Sequence, residues 1–240
     1  MNRISFSPGA SPIRHAIAAS FDMSGFSKFC QRHDAHAYLN RYLSHLFEAF
    51  DDAFEDGWRD FWKDTDELIQ VPRPDFVKYT GDGAILLWVR NSGDEFSNEF
   101  CTSVVAALRN FQQQLPMKVS QWEIQWKALN FPKAARFGIA TGPVHPLSTP
   151  PGSTLLDPSE VVDHAGYCIN LAVRLQDHCP EIGFIVHAPV QPQLKGMIQL
   201  EALKMKGSMD EPVFVFADDF QRASTAVPKE IKTKFGDRRQ

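Results

Sequence analysis

The chain has 240 residues, 43% of them hydrophobic and 22% charged, and its 25 Lys and Arg against 29 Asp and Glu leave a net charge of −4. That is the balance of a soluble globular protein with apolar mass for one sizeable core. It excludes a surface that recruits nucleic acid or an anionic membrane by overall charge.

The same letters set the compartment. The longest uninterrupted apolar run, Ala84 to Val89, is far short of the roughly 20 residues that span a bilayer. Met1 to Pro12 lacks the apolar stretch of a signal peptide. Cys30, Cys101, Cys168 and Cys179 contain no Cys-x-x-Cys pair, so a cytoplasmic protein with reduced thiols is expected.

In chain order, residues 1–12 read as a loose arm, with Pro8, Gly9, Ser11 and Pro12. Ile13 to Phe21 is a short apolar run closed by Asp22 and reads as a buried strand. From Ser24 to about Phe54, Phe26, Phe29, Tyr38, Tyr42, Leu46, Phe47 and Phe50 recur at spacings near three and four, which predicts a helix in one or two pieces. Acidic Asp51 to Glu67 holds Trp58, Phe61 and Trp62 and reads as a helical extension or an ordered loop, stopped by Pro72 and Pro74. Phe76 to Tyr79, then Thr80-Gly81-Asp82-Gly83, then Ala84 to Val89 spells strand, tight turn, strand, because Asp-Gly between apolar runs is a strong hairpin signal. Phe96 to Leu115 has helical spacing and is expected to end before Pro116. Residues 117–131, with Trp122 and Trp126, fit neither period. Ala134 to Thr141 predicts a strand ending at Gly142-Pro143, and His145 to Pro158 a loop. Asp163 to His178 predicts a helix, Gly183 to His187 a strand and Pro189 to Lys195 a short helix. Gln199 to Lys204 and Pro212 to Ala217 form a closing strand pair.

This order is a ferredoxin-like βαββαβ sheet of the α+β class, with helices on one face and added C-terminal strands. The domain is expected over 13–218, with a polar tail over 219–240.

Two clusters point to chemistry. Asp22 ends the first strand and Asp82 sits in the hairpin turn, and in such a sheet those two strands are neighbours. Taken singly, Asp22 reads as a helix cap and Asp82 as a turn residue. Together they put two carboxylates side by side, which repel unless a cation lies between them. Hard divalent cations take such oxygens and share them with phosphates. In the second cluster, Asn170 and Arg174 stand four apart and so share a helix face. An amide beside a planar fork of donors suits a ribose and a phosphate, although the pair alone also reads as a solvated face.

Five segments together resemble the ordered motif set of the class III nucleotidyl cyclases. They are Phe21-Asp22-Met23-Ser24-Gly25-Phe26-Ser27, Lys78-Tyr79-Thr80-Gly81-Asp82-Gly83, Arg136 to Pro143, Asp163 to Arg174, and Leu203-Lys204-Met205-Lys206-Gly207. The resemblance covers about Ile13 to Ala217. It implies that Asp22 and Asp82 hold two divalent cations per site, Mn²⁺ or Mg²⁺. It implies that Lys78 and Asp163 read the nucleobase, Asn170 orients the ribose, Arg174 stabilises charge on the α-phosphate, and Lys206 contacts the triphosphate. Family members are head-to-tail dimers whose sites take the aspartates from one subunit and the remaining groups from its partner. One copy of each motif implies a homodimer with two shared sites and an inactive monomer.

The base is less sharply marked. Lys78 and Asp163 resemble the pair of adenylyl cyclases, and bulky Tyr79 is a departure from purine cyclases. A free-standing catalytic domain resembles the pyrimidine cyclases of bacterial antiphage (Pycsar) systems. That likeness implies UTP as substrate, cyclic UMP as product and a separate effector protein as its target. ATP and cyclic AMP are the alternative. A catalytically silent nucleotide-binding module is another, although Asp22, Asp82, Asn170 and Arg174 are all present. A metal-dependent nucleotide hydrolase lacks a residue placed to activate water. His33 and His36 read as a solvated face, Trp122 and Trp126 as packing, and Cys168 as a small buried residue without an activating neighbour.

Overall fold

The computed structural model describes residues 12–56, 71–91, 93–128, 130–148, 161–178, 183–203 and 211–226. Strand β1 (Arg14–Met23) lies between two antiparallel neighbours. On one side is the hairpin of β2 (Phe76–Tyr79) and β3 (Ala84–Arg90); on the other is the long β4 (Ala135–Ser148). Helices α1 (Phe26–Cys30) and α2 (Ala35–Asp56) join β1 to β2, and α3 (Asn98–Trp126) joins β3 to β4. β5 (Val161–Gly166) pairs with the far end of β4 and leads into α4 (Tyr167–His178). Beyond β4 the sheet continues through β6 (Phe184–His187), β8 (Glu211–Phe216) and β7 (Met197–Leu203), and α5 (Ala217–Ala226) follows. β6 runs parallel to β4.

Alternation along β1 builds two cores. Ile17, Ala19, Phe21 and Met23 face α1, α2 and α3, whereas Ala16 and Ala18 face α4. The first core is aromatic: Phe21 stacks on Phe50 and Phe137 with ring centroids 5.1 and 5.5 Å apart. Such pairs add about 0.5–1.5 kcal/mol each beyond the area they bury. In the second core the β1 and β4 positions are small, Ala16, Ala18 and Ala140, so α4 lies close to the sheet. A Cβ on Gly138 would stand 2.0 Å from the Ala172 carbonyl oxygen. Small side chains on β1 and β4 therefore set the height of the helix that carries Asn170 and Arg174.

The α+β, ferredoxin-like expectation holds, and the hairpin strands begin where the sequence put them. Four details differ. The helices of the βαββαβ unit share one face, but α4 covers the other, because β1 and β4 are apolar on both sides. α3 runs through Pro116 rather than stopping before it. Val104, Leu108, Phe111, Leu115, Val119 and Trp126 stay buried along one stripe across the proline, and that packing outweighs one lost backbone bond. β4 continues past Gly142-Pro143 to Ser148. Pro143 falls where β6 has left β4 and β5 has not yet joined it, a place where a missing donor costs little. The expected tail boundary at 219 falls inside α5, where buried Asp219 accepts from Arg109 on α3 at 2.5 Å. Among the described residues no helix is long and apolar enough to cross a membrane.

Candidate active site

The hairpin turn is pressed against the end of β1. A Cβ on Gly83 would stand 1.9 Å from the Phe21 carbonyl oxygen, so only glycine admits this approach. Gly81, at φ 98°, makes the turn itself. Asp22 follows Phe21 and Asp82 precedes Gly83, which sets the two carboxyl groups near enough to act on one another. Burial first, and then the neighbouring Asp22 carboxyl, push the Asp82 carboxyl up to about 6. Arg136, opposite Asp22 in the β1–β4 register, donates to Asp22 Oδ2.

Two neighbouring carboxyls are hard oxygen donors between which a divalent cation can sit in place of a proton. The donor set therefore fits Mg²⁺ or Mn²⁺. No group of three or more His, Cys, Asp or Glu side chains able to hold a metal occurs among the described residues. Further ligands would have to be backbone oxygens, water or substrate phosphates.

The second expected pair also forms. Lys78 on β2 donates from Nζ to Asp163 Oδ2 on β5. The His164 backbone N–H donates to Asp163 Oδ1 at 2.8 Å and holds the carboxylate in place. Phe76, on the same face of β2 as Lys78, packs against the His164 ring at 5.1 Å. Tyr79 points the other way and packs on Phe47 of α2, with centroids 4.5 Å apart. The bulk noted after Lys78 is therefore on the far side of the hairpin from the Lys78–Asp163 pair. Asp163 belongs to strand β5, not to the helix expected to start there.

On α4, Asn170 and Arg174 are exposed on one face. Neither makes a hydrogen bond or ion pair with another described residue, so their donors face solvent. Lys206 lies outside the described residues. Sequence reasoning assigned no role to Arg136, although it stands in a motif it singled out; its register opposite Asp22 is the signal that finds it. The remaining candidates settle as packing or surface. His33 and His36 are exposed, and Arg32 takes the Asp34 between them. Trp122 and Trp126 stack on each other at 5.9 Å. Burial pushes the Cys168 thiol up to about 12, which leaves it unreactive.

No protein-family model matches the sequence, and no curated protein matches it. Solved structures do resemble the fold. The adenylyl cyclase CyaB from P. aeruginosa superposes with a TM-score of 0.58 at 15% identity, over 85% of this chain and 94% of that one. The fold is that of the class III cyclase catalytic domains. A bacterial light-regulated adenylyl cyclase gives a TM-score of 0.54 at 16% identity, covering 90% of this chain and 98% of that one. The guanylate cyclase domain of RhGC from Catenaria anguillulae, solved in complex with GTP, gives 0.52 at 15% identity, covering 86% and 98%. In this fold the Asp22–Asp82 pair lies at the tip of the β2–β3 hairpin, and the Lys78–Asp163 pair links β2 to β5 through side chains.

Proposed function

We propose that the chain is a nucleotidyl cyclase. It converts a nucleoside triphosphate, UTP by first choice, to the 3′,5′-cyclic monophosphate and pyrophosphate. The observation that carries this reading is the contact of Asp22 with Asp82 at the hairpin tip, in a fold that also presents Lys78 with Asp163 and Asn170 with Arg174. The 3′-oxygen bonds to the α-phosphorus as the bond from that phosphorus to pyrophosphate breaks, and the hydroxyl proton passes to solvent. Asp22 and Asp82 would hold two divalent cations, whose Lewis acidity and countercharge favour attack by the hydroxyl and departure of pyrophosphate.

The chain's own side chains do the positioning. Lys78 offers a donor and Asp163 an acceptor to the edge of the base. Asn170 holds the ribose so that its 3′-hydroxyl faces the α-phosphorus. Arg174 directs its planar fork at the oxygens that gain charge in the transition state. Arg136, released from Asp22 when the carboxylates take cations, is free to turn to the phosphates. Lys206 is assigned to the triphosphate by resemblance to the family.

In the arrangement proposed, two chains pair head to tail and each site takes its aspartates from one chain and Asn170 and Arg174 from the other. UTP is favoured by resemblance to the pyrimidine cyclases of antiphage systems, and its product would act on a separate effector in such defence. ATP is the second reading, supported by the Lys78–Asp163 pair. The test is complementation. Asp82→Asn and Arg174→Ala, each inactive alone, are coexpressed. In a shared-site dimer half the dimers are mixed and carry one intact site, which restores about a quarter of wild-type activity. Activity no higher than that of either variant alone would sink the shared site.

A further inference from the structure

Lys78 and Asp163 are engaged with each other, whereas a base read by both must come between the donor and the acceptor. The ion pair therefore opens when a base enters, and something else has to hold the gap. The backbone does not supply it. β2 pairs with β3 and β5 with β4, and β3 and β1 lie between β2 and β4 in the sheet. The ladder that carries Asp163 is also weak at that point. Pro146 stands opposite His164 and has no N–H to give. The register then slips between Leu147 and Ser148, directly past the pairing of Leu147 with Asp163. Asp163 thus rides at the irregular end of the β4–β5 ladder.

A second contact crosses from β2 to β5, and it is between rings. Phe76, two residues before Lys78 on the same face of β2, meets the His164 ring edge to face with centroids 5.1 Å apart. Phe76 is itself packed on the second core, so it is a firm seat. His164 follows Asp163 directly, and its backbone N–H donates to Asp163 Oδ1 at 2.8 Å. One residue therefore grips the carboxylate with its main chain and the facing strand with its side chain. The ring acts there as an apolar body. Burial holds it below the ordinary histidine range and so keeps it neutral, and Nδ1 is buried with no hydrogen-bond partner among the described residues. We propose that His164, seated on Phe76, is a positioning residue that fixes the reach from Asp163 to Lys78 while a base lies between them. This rests on the cyclase reading above and deepens it by naming what makes the base-reading pair selective. A misplacement of about 1 Å in such a constellation can cost about 10²-fold.

The experiment measures kcat and KM for UTP, CTP, ATP and GTP with Mn²⁺, and dissociation constants for their non-hydrolysable analogues and for inorganic tripolyphosphate, which has no base. The chains compared are the wild type, His164→Ala, His164→Phe, Phe76→Ala and the double variant His164→Ala/Phe76→Ala. In His164→Ala the spread of kcat/KM among the four nucleotides is expected to shrink by about tenfold or more, carried mainly by a higher KM for the preferred one. Tripolyphosphate should bind as it does to the wild type, which also shows the variant to be folded. His164→Phe keeps the ring and should stay near the wild type. Phe76→Ala should act as His164→Ala does, and the double variant should add little to either, because the two rings form one contact. Unchanged discrimination in His164→Ala, an equal loss in His164→Phe, or additive effects in the double variant overturns the proposal. If alanine unfolds the chain, His164→Leu, which fills the space without a ring edge, is read in its place with the same expectation. If the wild type cyclises no nucleotide, yet its analogue affinities differ by base and converge in His164→Ala, the cyclase reading fails and the positioning role stands. If the wild-type affinities do not differ by base, the Lys78–Asp163 pair reads none, and the role of His164 falls whether or not cyclisation is seen.

Discussion

Replacing Asp82 by asparagine should make the metal-free protein more stable while removing its response to metal. Asp82 is lifted from 3.8 to about 6, first by burial and then by Asp22. A lift of about two pH units, at about 1.4 kcal/mol each, amounts to roughly 3 kcal/mol of unfavourable interaction once both carboxylates are ionised. The pair is partly solvated, so about 1–3 kcal/mol is the fair range. A raised carboxyl contributes stability that is complete below 3.8 and lost as pH rises through about 6, so the burden is fully present at pH 8. Asparagine keeps the shape and can donate to Asp22, and it carries no charge. In EDTA at pH 8 the variant should therefore melt about 5 °C above the wild type, on the scale expected for a chain of this size. Manganese at about a hundredfold excess over its Kd should raise the wild type by roughly 2.7 kcal/mol and leave the variant nearly unmoved. The gap between the two melting temperatures then closes or reverses. Scanning fluorimetry with and without Mn²⁺ reads both. A variant that melts below the wild type in EDTA, or gains as much from Mn²⁺, refutes the view that these carboxylates are held together for a cation.

Three further expectations follow from the geometry. Arg174→Ala should lower kcat by about 10²–10³, the usual scale for one transition-state donor. Its melting temperature should be unchanged, because the exposed guanidinium bonds to no other described residue; a large drop in melting temperature would show a structural role instead. Gly138→Ala would drive a Cβ to 2.0 Å from the Ala172 carbonyl oxygen and should cost about 1–3 kcal/mol. Hydrogen exchange should rise along α4, and an unchanged exchange pattern would contradict its close seat. Burial holds His187 below its ordinary 6.5, with Glu211 pulling the other way. The unfolded chain then takes the proton first, so stability is complete above about 6.5 and declines as pH falls below it. Measured in Asp82→Asn, to remove the opposite trend of Asp82, this decline should weaken in His187→Gln; an identical pH profile would refute it.

Much of the fold was legible because its signals are local. The Asp-Gly turn marked the hairpin, and the apolar run ending at Asp22 marked β1. That is also why the carboxylate pair could be placed: both residues end elements whose pairing the topology dictates. Pro116 misled because a proline stop is a local rule, whereas the buried stripe from Val104 to Trp126 belongs to the tertiary core. β4 was cut short at Gly142-Pro143 for the same reason, since only the arrangement of its neighbours shows that the proline sits between partners. Tyr79 stood out as bulky beside Lys78, but strand alternation turns it toward α2. Arg136, and the chain of contacts from Tyr167 through Glu211 to His187, were beyond a linear reading. Arg136 meets Asp22 across 114 positions, and Tyr167 meets Glu211 across 44.

The most direct test is the product. Purified protein is incubated with Mn²⁺ and each of ATP, GTP, UTP and CTP, and the products are resolved by mass. A 3′,5′-cyclic monophosphate and pyrophosphate are expected, with UTP the preferred substrate, and no product from Asp82→Asn. Cyclic AMP as the main product would keep the chemistry and replace the base. Nucleoside monophosphate in place of a cyclic product, or no turnover of any of the four, would contradict the central claim.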